Sequence, residues 1–337
     1  MLFFMILISS TLVSVSSTSW FGAWLGLEIN LLSFIPILSN DMNQRSSEAS
    51  LKYFLTQALG SITLISGVIM LFYSPMDPWP FQETAILSLM SSALLLKMGA
   101  APFHFWFPVV MEGLTWMNGI ILMTWQKLGP LALLSYNVSK TWSLIIASTI
   151  LSSMVGALGG LNQSLLRKVM AFSSINHMGW IMAAMTCGEM LWLCYFIFYI
   201  LLSSTIGLMF SSLNIFHINQ IYDSFKTGKN IKLMLSFSFL SLGGLPPFTG
   251  FIPKWLVIQN LMINKMYMIT LILIFMALLT LYYYSRIIYS GLTSLSFSKT
   301  WHFTNYLTLS SNNLSTLILS LTSTVGLPTA LLLIPFL

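Results

Sequence analysis

Apolar runs, each closed by a cluster of polar residues, prolines or glycines, recur along nearly the whole chain. Eleven of them approach or exceed the ~20 residues that a helix needs to cross a bilayer. Their predicted limits are 2–18, 22–38, 51–73, 84–111, 116–137, 142–160, 169–187, 191–216, 231–262, 267–290 and 312–335. The fourth and ninth are too long for one crossing and carry Pro and Gly in their middle. Proline lacks a backbone donor and biases the residue before it away from helix. Each of these spans is therefore expected to be two half-helices joined by an unwound segment. The pattern predicts an all-α polytopic membrane protein, with about eleven transmembrane helices in one membrane domain, 1–337.

The two breaks resemble each other. One reads Pro102-Phe103-His104-Phe105-Trp106-Phe107-Pro108, the other Pro247-Phe248-Thr249-Gly250-Phe251-Ile252-Pro253. Pro, Phe and Pro match at equal spacing, with an aromatic at the fifth place of each. Five spans of separation, an odd number, make the two copies run in opposite directions. Broken helices at matching places in oppositely oriented halves are the mark of an inverted repeat. The expected halves are 1–137, with its broken helix at 84–111, and 142–290, with its broken helix at 231–262. A loop and last helix fill 291–337.

Composition narrows the class. Only 7% of the 337 residues are charged, 56% are hydrophobic and the mean hydropathy is +0.85; soluble domains are about a quarter charged. That excludes a water-soluble enzyme. The net charge of +6 comes from a scarcity of acids, 8 against 14 Lys and Arg, and not from a basic patch, so nucleic acid is not an expected partner. Cys187 and Cys194 suit neither a disulfide framework nor an iron–sulfur site, and His104, His177, His217 and His302 form no metal-binding pattern. No nucleotide motif occurs. The apolar start lacks the features of a cleaved signal or transit peptide and is expected to remain as the first helix. The chain is then made in a bacterium or inside an organelle.

Loop charges set an orientation. Loops after even-numbered spans hold Arg45, Lys52, Arg167, Lys168, Lys226, Lys229, Lys232, Arg286 and Lys299, whereas the others hold only Lys140 and Lys265. The positive-inside rule puts the richer side, and the N-terminus with it, on the matrix or cytoplasmic face. Eleven spans put the C-terminus on the opposite face.

Four charged residues stand inside apolar spans, where insertion costs at least ~2.5 kcal/mol each. They are Glu28, Lys97, Lys127 and Lys254. One carboxylate and three amines do not make a site for a hard cation. Burial disfavours the charged form of either group, and pairing favours it. A lysine that alternates between paired and unpaired states can therefore take up and release a proton. A static ion pair is the competing reading for Glu28 and Lys97, and snorkelling to the interface for Lys254. Lys127 has no obvious partner in its own helix. His177, in Ser173-Ser174-Ile175-Asn176-His177, is either a hydrogen-bonded packing residue or a proton relay, with Ser173, Ser174 and Asn176 able to hold waters beside it. His104 has the same two readings. Glu112 is expected at an interface. Met and aromatic residues read as packing and interfacial belts.

These segments resemble a known family. Leu25 to Asn30, Lys97 to Trp106, Trp125-Gln126-Lys127, Phe172 to Trp180 and Gly243 to Trp255 are similar to the chain 2 family of mitochondrial NADH:ubiquinone oxidoreductase, antiporter-like membrane subunits of respiratory complex I. The resemblance runs in order from about 18 to 290; nothing after about 291 matches. It is to the short animal form, lacking three N-terminal helices of bacterial members. It implies a multi-pass chain of the mitochondrial inner membrane, N-terminus in the matrix and C-terminus in the intermembrane space. The implied activity is proton translocation coupled to electron transfer from NADH to ubiquinone. The implied proton path has its glutamate at Glu28, central lysines at Lys97 and Lys127 and its distal lysine at Lys254; we add His177. The resemblance places flavin, iron–sulfur clusters and ubiquinone in other subunits, with no cofactor or metal expected here. The expected partners are other membrane-arm subunits, lipids, protons and water. Two alternatives remain: a subunit of an Mrp-type sodium/proton antiporter, and a structural scaffold whose charges only pin helices.

Overall fold

The computed structural model describes residues 2–39, 43–73, 80–224 and 229–293. Among them there is no β-strand, only one antiparallel bridge between Leu165 and His217 that ties two loops together. The expected eleventh span at 312–335, Lys226 and Lys299 lie outside the described residues.

The sequential helices are α1 (Leu2–Ser16), α2 (Trp20–Leu38), α3 (Gln44–Tyr73), α4 (Pro80–Met98), α5 (Trp106–Gly113), α6 (Trp116–Met123), α7 (Trp125–Asn137), α8 (Trp142–Gly160), α9 (Leu166–Cys187), α10 (Glu189–Leu213), α11 (Ile218–Ser224), α12 (Lys229–Gly243), α13 (Phe251–Ile263) and α14 (Tyr267–Thr293). Five stretches, Trp20–Leu38, Gln44–Tyr73, Trp142–Gly160, Glu189–Leu213 and Tyr267–Tyr289, are long and apolar enough on their own to cross a membrane. The other expected spans are short, split or polar. Neighbouring helices approach through small residues, as membrane helices do when burial alone does not drive them together. Gly26 of α2 lies against the backbone of Ser14 in α1, and Gly156 of α8 against that of Asn176 in α9. Exposed apolar side chains, such as Leu51, Leu55, Leu59 and Ile62 along α3, leave an outer face suited to lipid or other subunits.

Both long spans are broken where the sequence predicts. α4 stops at Met98 and α5 starts at Trp106; α12 stops at Gly243 and α13 starts at Phe251. The stops share one hydrogen-bond pattern. After α4, Gly99 N–H donates to Leu96 O (3.1 Å) and Ala100 N–H to Leu95 O (3.1 Å). After α12, Gly244 N–H donates to Ser241 O (3.0 Å) and Leu245 N–H to Leu240 O (3.3 Å). This is the Schellman pattern, which needs a left-handed residue just past the helix. Gly99 (φ 71°) and Gly244 (φ 80°) supply it. The restarts match too: Trp106 and Phe251 are the aromatic fifth residues of the two motifs, and Pro108 and Pro253 occupy the third helical position, where no intrahelical donor is needed.

One interruption is not predicted by the sequence. The fifth span, read as continuous from 116 to 137, divides at Thr124 (φ −108°, ψ −74°) into α6 and α7. The Thr124 hydroxyl donates to Ile120 O (2.7 Å), competing for the carbonyl that also takes the Thr124 N–H (2.9 Å). Such back-bonding bends helices. Lys127 follows three residues later.

Candidate functional site

Lys97 lies in the last turn of α4, where the partial negative charge of a helix C-terminus suits a cation. It is buried and faces a cavity of about 20 Å³, shared with Asn30, Tyr53, Gln57, Gln126 and Lys127, which is room for about one water. The cavity wall is a hydrogen-bonded belt across α2, α3 and α7. Tyr53 donates to Gln126 Oε1 (3.4 Å), and Gln126 Nε2 donates to Asn30 Oδ1 (3.1 Å). Gln57 Nε2 donates to the Lys97 carbonyl (3.2 Å). Trp106, first residue after the break, donates its indole N–H back to Leu96 O (3.0 Å).

Lys127 is buried, 2% exposed, and among the described residues no carboxylate pairs with it. Its ammonium lies 4.6 Å from the ring centroid of Phe107 and 5.5 Å from that of Tyr199, so aromatic faces take the place of a counter-ion. Phe107 belongs to α5, so the first break is what brings this ring under the lysine.

His177 of α9 is buried within electrostatic reach of both Lys127 and Lys254. Its Nδ1 is 3.0 Å from the Tyr195 hydroxyl, and its ring is 5.4 Å from that of Tyr199. Lys254, near the start of α13, is buried rather than snorkelling and donates to Gly243 O (2.9 Å), the last carbonyl of α12. It reaches back across the break to do so. A side chain at Gly244 would meet Lys254 Cδ at 2.9 Å and Nζ at 3.0 Å, so this glycine supplies both the left-handed turn and the room for the lysine.

The structure thus buries all four of Lys97, Lys127, His177 and Lys254, with Lys97 and Lys127 on one cavity and His177 within electrostatic reach of Lys127 and Lys254. Glu28 is half-buried on α2 and acts electrostatically on Lys97, but the two form no ion pair within 4 Å, and one Glu28 carboxylate oxygen is buried without a partner. The described ion pairs sit at the periphery: Lys52–Glu48 (3.9 Å), Lys140–Glu83 (2.5 Å) and Lys168–Glu112 (2.7 Å). His104 turns back on its own break, with Nδ1 3.3 Å from Pro102 O, and does not join that group. Cys187 and Cys194 are free thiols. Among the described residues, no three His, Cys, Asp or Glu side chains gather in a way that could hold a metal.

Sequence reasoning missed Tyr53, Gln57, Tyr195 and Tyr199. For Gln57 a signal was present: it lies one turn from Tyr53, so the two share a face of an otherwise apolar helix. The α10 tyrosines carry no such mark, since a tyrosine in an apolar span reads equally well as packing.

Residues 17–280 match the family described as NADH:quinone oxidoreductase/Mrp antiporter, TM. A protein of Anopheles gambiae named NADH-ubiquinone oxidoreductase chain 2 is 54% identical over 291 residues, covering 86% of this chain and 84% of the relative. Its namesake in Aedes aegypti is 51% identical over 322 residues, covering 95% and 93%. The fold is similar to a chain of respiratory complex I from Thermus thermophilus with bound Aureothin (TM-score 0.86, 22% identity, 99% of this chain and 79% of that one). It is also similar to a chain of the Mrp complex from Dietzia sp. DQ12-45-1b (TM-score 0.78, 15% identity, 86% and 59%). With more than three quarters of its length inside the family match and half of its residues shared with relatives of nearly full length, the chain belongs to the NADH-ubiquinone oxidoreductase chain 2 family.

Proposed function

We propose that this chain moves protons across the mitochondrial inner membrane as a core subunit of the membrane arm of respiratory complex I, driven by electron transfer from NADH to ubiquinone in other subunits. The flavin, iron–sulfur clusters and ubiquinone belong to those subunits in this reading. The carrying observation is the burial of Lys97 and Lys127 on one polar cavity, with His177 within electrostatic reach of Lys127 and Lys254. Glu28 biases Lys97 by approach and withdrawal. Lys97 in turn biases Lys127, which hands a proton to Lys254 by way of His177. Moving one charge against 100 mV costs ~2.3 kcal/mol, and pairing and unpairing of buried amines operates on that scale.

One observation favours transfer over a scaffold. A purely structural lysine would be satisfied by a carboxylate or carbonyl, and the Lys127 ammonium instead lies against the Phe107 and Tyr199 rings beside a polar cavity, with no ion pair among the described residues. The Mrp-type sodium/proton antiporter is the second reading; the fold is compatible with it, but relatives of 54% and 51% identity carry the complex I name.

The inverted repeat gains support from the two breaks, with their shared Schellman stops and third-position prolines, and from the like pairing of α1 with α2 and α8 with α9. In this reading about eleven helices cross the membrane, and the side bearing Arg45, Arg167, Lys168 and Arg286 faces the matrix with the N-terminus. Lys140, more than half exposed, faces the intermembrane space. A membrane-impermeant amine reagent should label it from that side; labelling from the matrix side alone would reverse the orientation.

The deciding experiment is Lys127→Met in the assembled complex, reconstituted in sealed vesicles. Proton translocation per ubiquinone reduced should fall, and Lys127→Arg should not restore it, because Arg stays protonated. Full pumping by an assembled Lys127→Met complex would defeat the reading.

A further inference from the structure

Two glycines stand well inside the long helix α3, Gly60 and Gly67. Glycine weakens a helix interior, so each calls for a reason. They lie seven residues apart, two turns, and share the face that packs on α4. A Cβ at Gly67 would sit 2.6 Å from Met90 Cγ, so this glycine lets the two helices close over a methionine. A Cβ at Gly60 would sit 3.0 Å from Lys97 Cγ, 3.1 Å from Leu96 Cδ2 and 3.5 Å from Lys97 Cε. The lysine stem therefore lies along α3 at the spot where that helix has no side chain.

The same helix holds the main chain of Lys97. Gln57, one turn before Gly60, is buried and donates its Nε2 to the Lys97 carbonyl (3.2 Å). Trp106 fixes the carbonyl before it, Leu96 O (3.0 Å). The backbone of Lys97 is thus pinned, while among the described residues its ammonium makes no ion pair within 4 Å. A lysine has a flexible four-carbon stem, so something other than a bound counter-ion must aim it. The groove at Gly60 does so. The charged and titratable groups around the stem are Glu28 of α2, which acts on Lys97 electrostatically, and Tyr53 of α3 and Lys127 of α7, which share its cavity.

We propose that Gly60 is a positioning residue for proton transfer: with Gln57 it forms a seat on α3 that fixes how far the Lys97 ammonium stands from Glu28 and from Lys127. The inference rests on the reading of Lys97 as part of the proton path. A methyl at Gly60 leaves the Gln57 hydrogen bond in place and pushes aside only the lysine stem and the Leu96 tip. The charge is then carried at a changed distance from both neighbours, and the step in which one group biases the next is mistuned. Small misplacements of a reacting group are costly in rate. Gly67 is a control built into the same helix face, since a methyl there meets Met90 and moves no charge.

The test compares Gly60→Ala with Gly67→Ala and Lys97→Met, each in the assembled complex in sealed vesicles. Protons translocated per ubiquinone reduced are measured across a pH series, beside thermal melting. Gly60→Ala should lower the ratio about two-fold or more. It should also move the pH of the half-maximal ratio by about half a unit, as for a charge pair whose separation changes by about an ångström. Gly67→Ala, with the tighter contact, should melt earlier yet keep the ratio and pH profile of the unaltered complex. A normal ratio and profile in Gly60→Ala, beside a lowered ratio in Lys97→Met, overturns the seat and leaves the path standing. Equal losses of ratio in the two glycine variants also overturn it, because they reduce Gly60 to helix packing. A normal ratio in Lys97→Met removes the path and the seat together. If Gly60→Ala fails to assemble, Gln57→Leu decides, since it keeps the bulk and removes the donor: a moved pH profile supports the seat and an unchanged one overturns it.

Discussion

The two broken helices begin alike and are used differently. Each stops on a left-handed glycine in a Schellman turn and restarts on an aromatic followed two places later by proline. In the first break the lysine precedes the gap: Lys97 lies in the last turn of α4 and faces a cavity. In the second it follows the gap: Lys254 starts α13 and reaches back to Gly243 O. The Lys254 ammonium thereby lies at the C-terminal carbonyls of the half-helix before its break, and Lys97 is carried on the last turn of the half-helix before its own, the end whose dipole favours a cation. They arrive there from opposite sides of the gap. A shared backbone motif fixes where a charge can be stabilised, while the chain is free to deliver that charge from either flank.

The fourth residue of each motif offers the strongest way to separate the two. Phe105 is 76% exposed, whereas a side chain at Gly250 would run into the Ser241 carbonyl. Gly250→Ala should cost about 1–3 kcal/mol or more, because backbone must move. Phe105→Ala should stay within about 0.5 kcal/mol, as exposed substitutions do. Thermal melting of the solubilised complex compares them, and equal losses would mean that the breaks are packed alike.

The lysines come next. Lys254→Met strips Gly243 O of its donor, a loss of about 1–3 kcal/mol. Lys97→Met removes a buried charge that makes no ion pair within 4 Å, so its stability should change by no more than about 1 kcal/mol, in either direction. Both should lower proton pumping. A larger destabilisation by Lys97→Met would point to a strong partner for that ammonium.

The glycines sharpen the same contrast. Gly99→Ala and Gly244→Ala each force an L-residue into the left-handed region, at about 1–2 kcal/mol. Only at Gly244 does the new methyl also displace the lysine ammonium; at Gly99 it meets Phe107 Cβ at 3.1 Å and the Phe107 ring at 3.3 Å. Pumping at matched stability should therefore be lower for Gly244→Ala. The smallest effect is expected from the cavity wall of the first break, which has no counterpart described at the second. Tyr53→Phe removes one long hydrogen bond to Gln126 (3.4 Å), worth about 0.5–1.5 kcal/mol. A change in pumping beyond that small shift would make Tyr53 part of the path rather than of its wall.

Features with a local cause were legible along the chain. Proline and glycine act on the backbone within a residue or two, so both breaks could be placed from Pro102, Pro108, Pro247 and Pro253. A charge in an apolar run is conspicuous wherever it packs, so Glu28, Lys97, Lys127 and Lys254 stood out. The interruption at Thr124 was hidden because threonine is common within membrane helices, and only the choice of Ile120 O as acceptor turned it into a bend. The distance between Glu28 and Lys97 was hidden as well, since it depends on how α2 and α4 seat against α3 and α7.

By itself the sequence determined the class, the family resemblance, the two discontinuous helices and the charged residues that need explaining. Each rests on hydropathy or backbone chemistry, which act over a few residues. Tertiary structure alone decided which groups share a pocket. It brought Tyr199 of α10 and Tyr284 of α14 beside the α9 serines, slid Phe107 under Lys127, and gave Lys254 a carbonyl from the far side of its own break. Those relations hold between residues far apart along the chain. They are set by how close-packed helices interlock, which one-dimensional patterns of polarity do not encode.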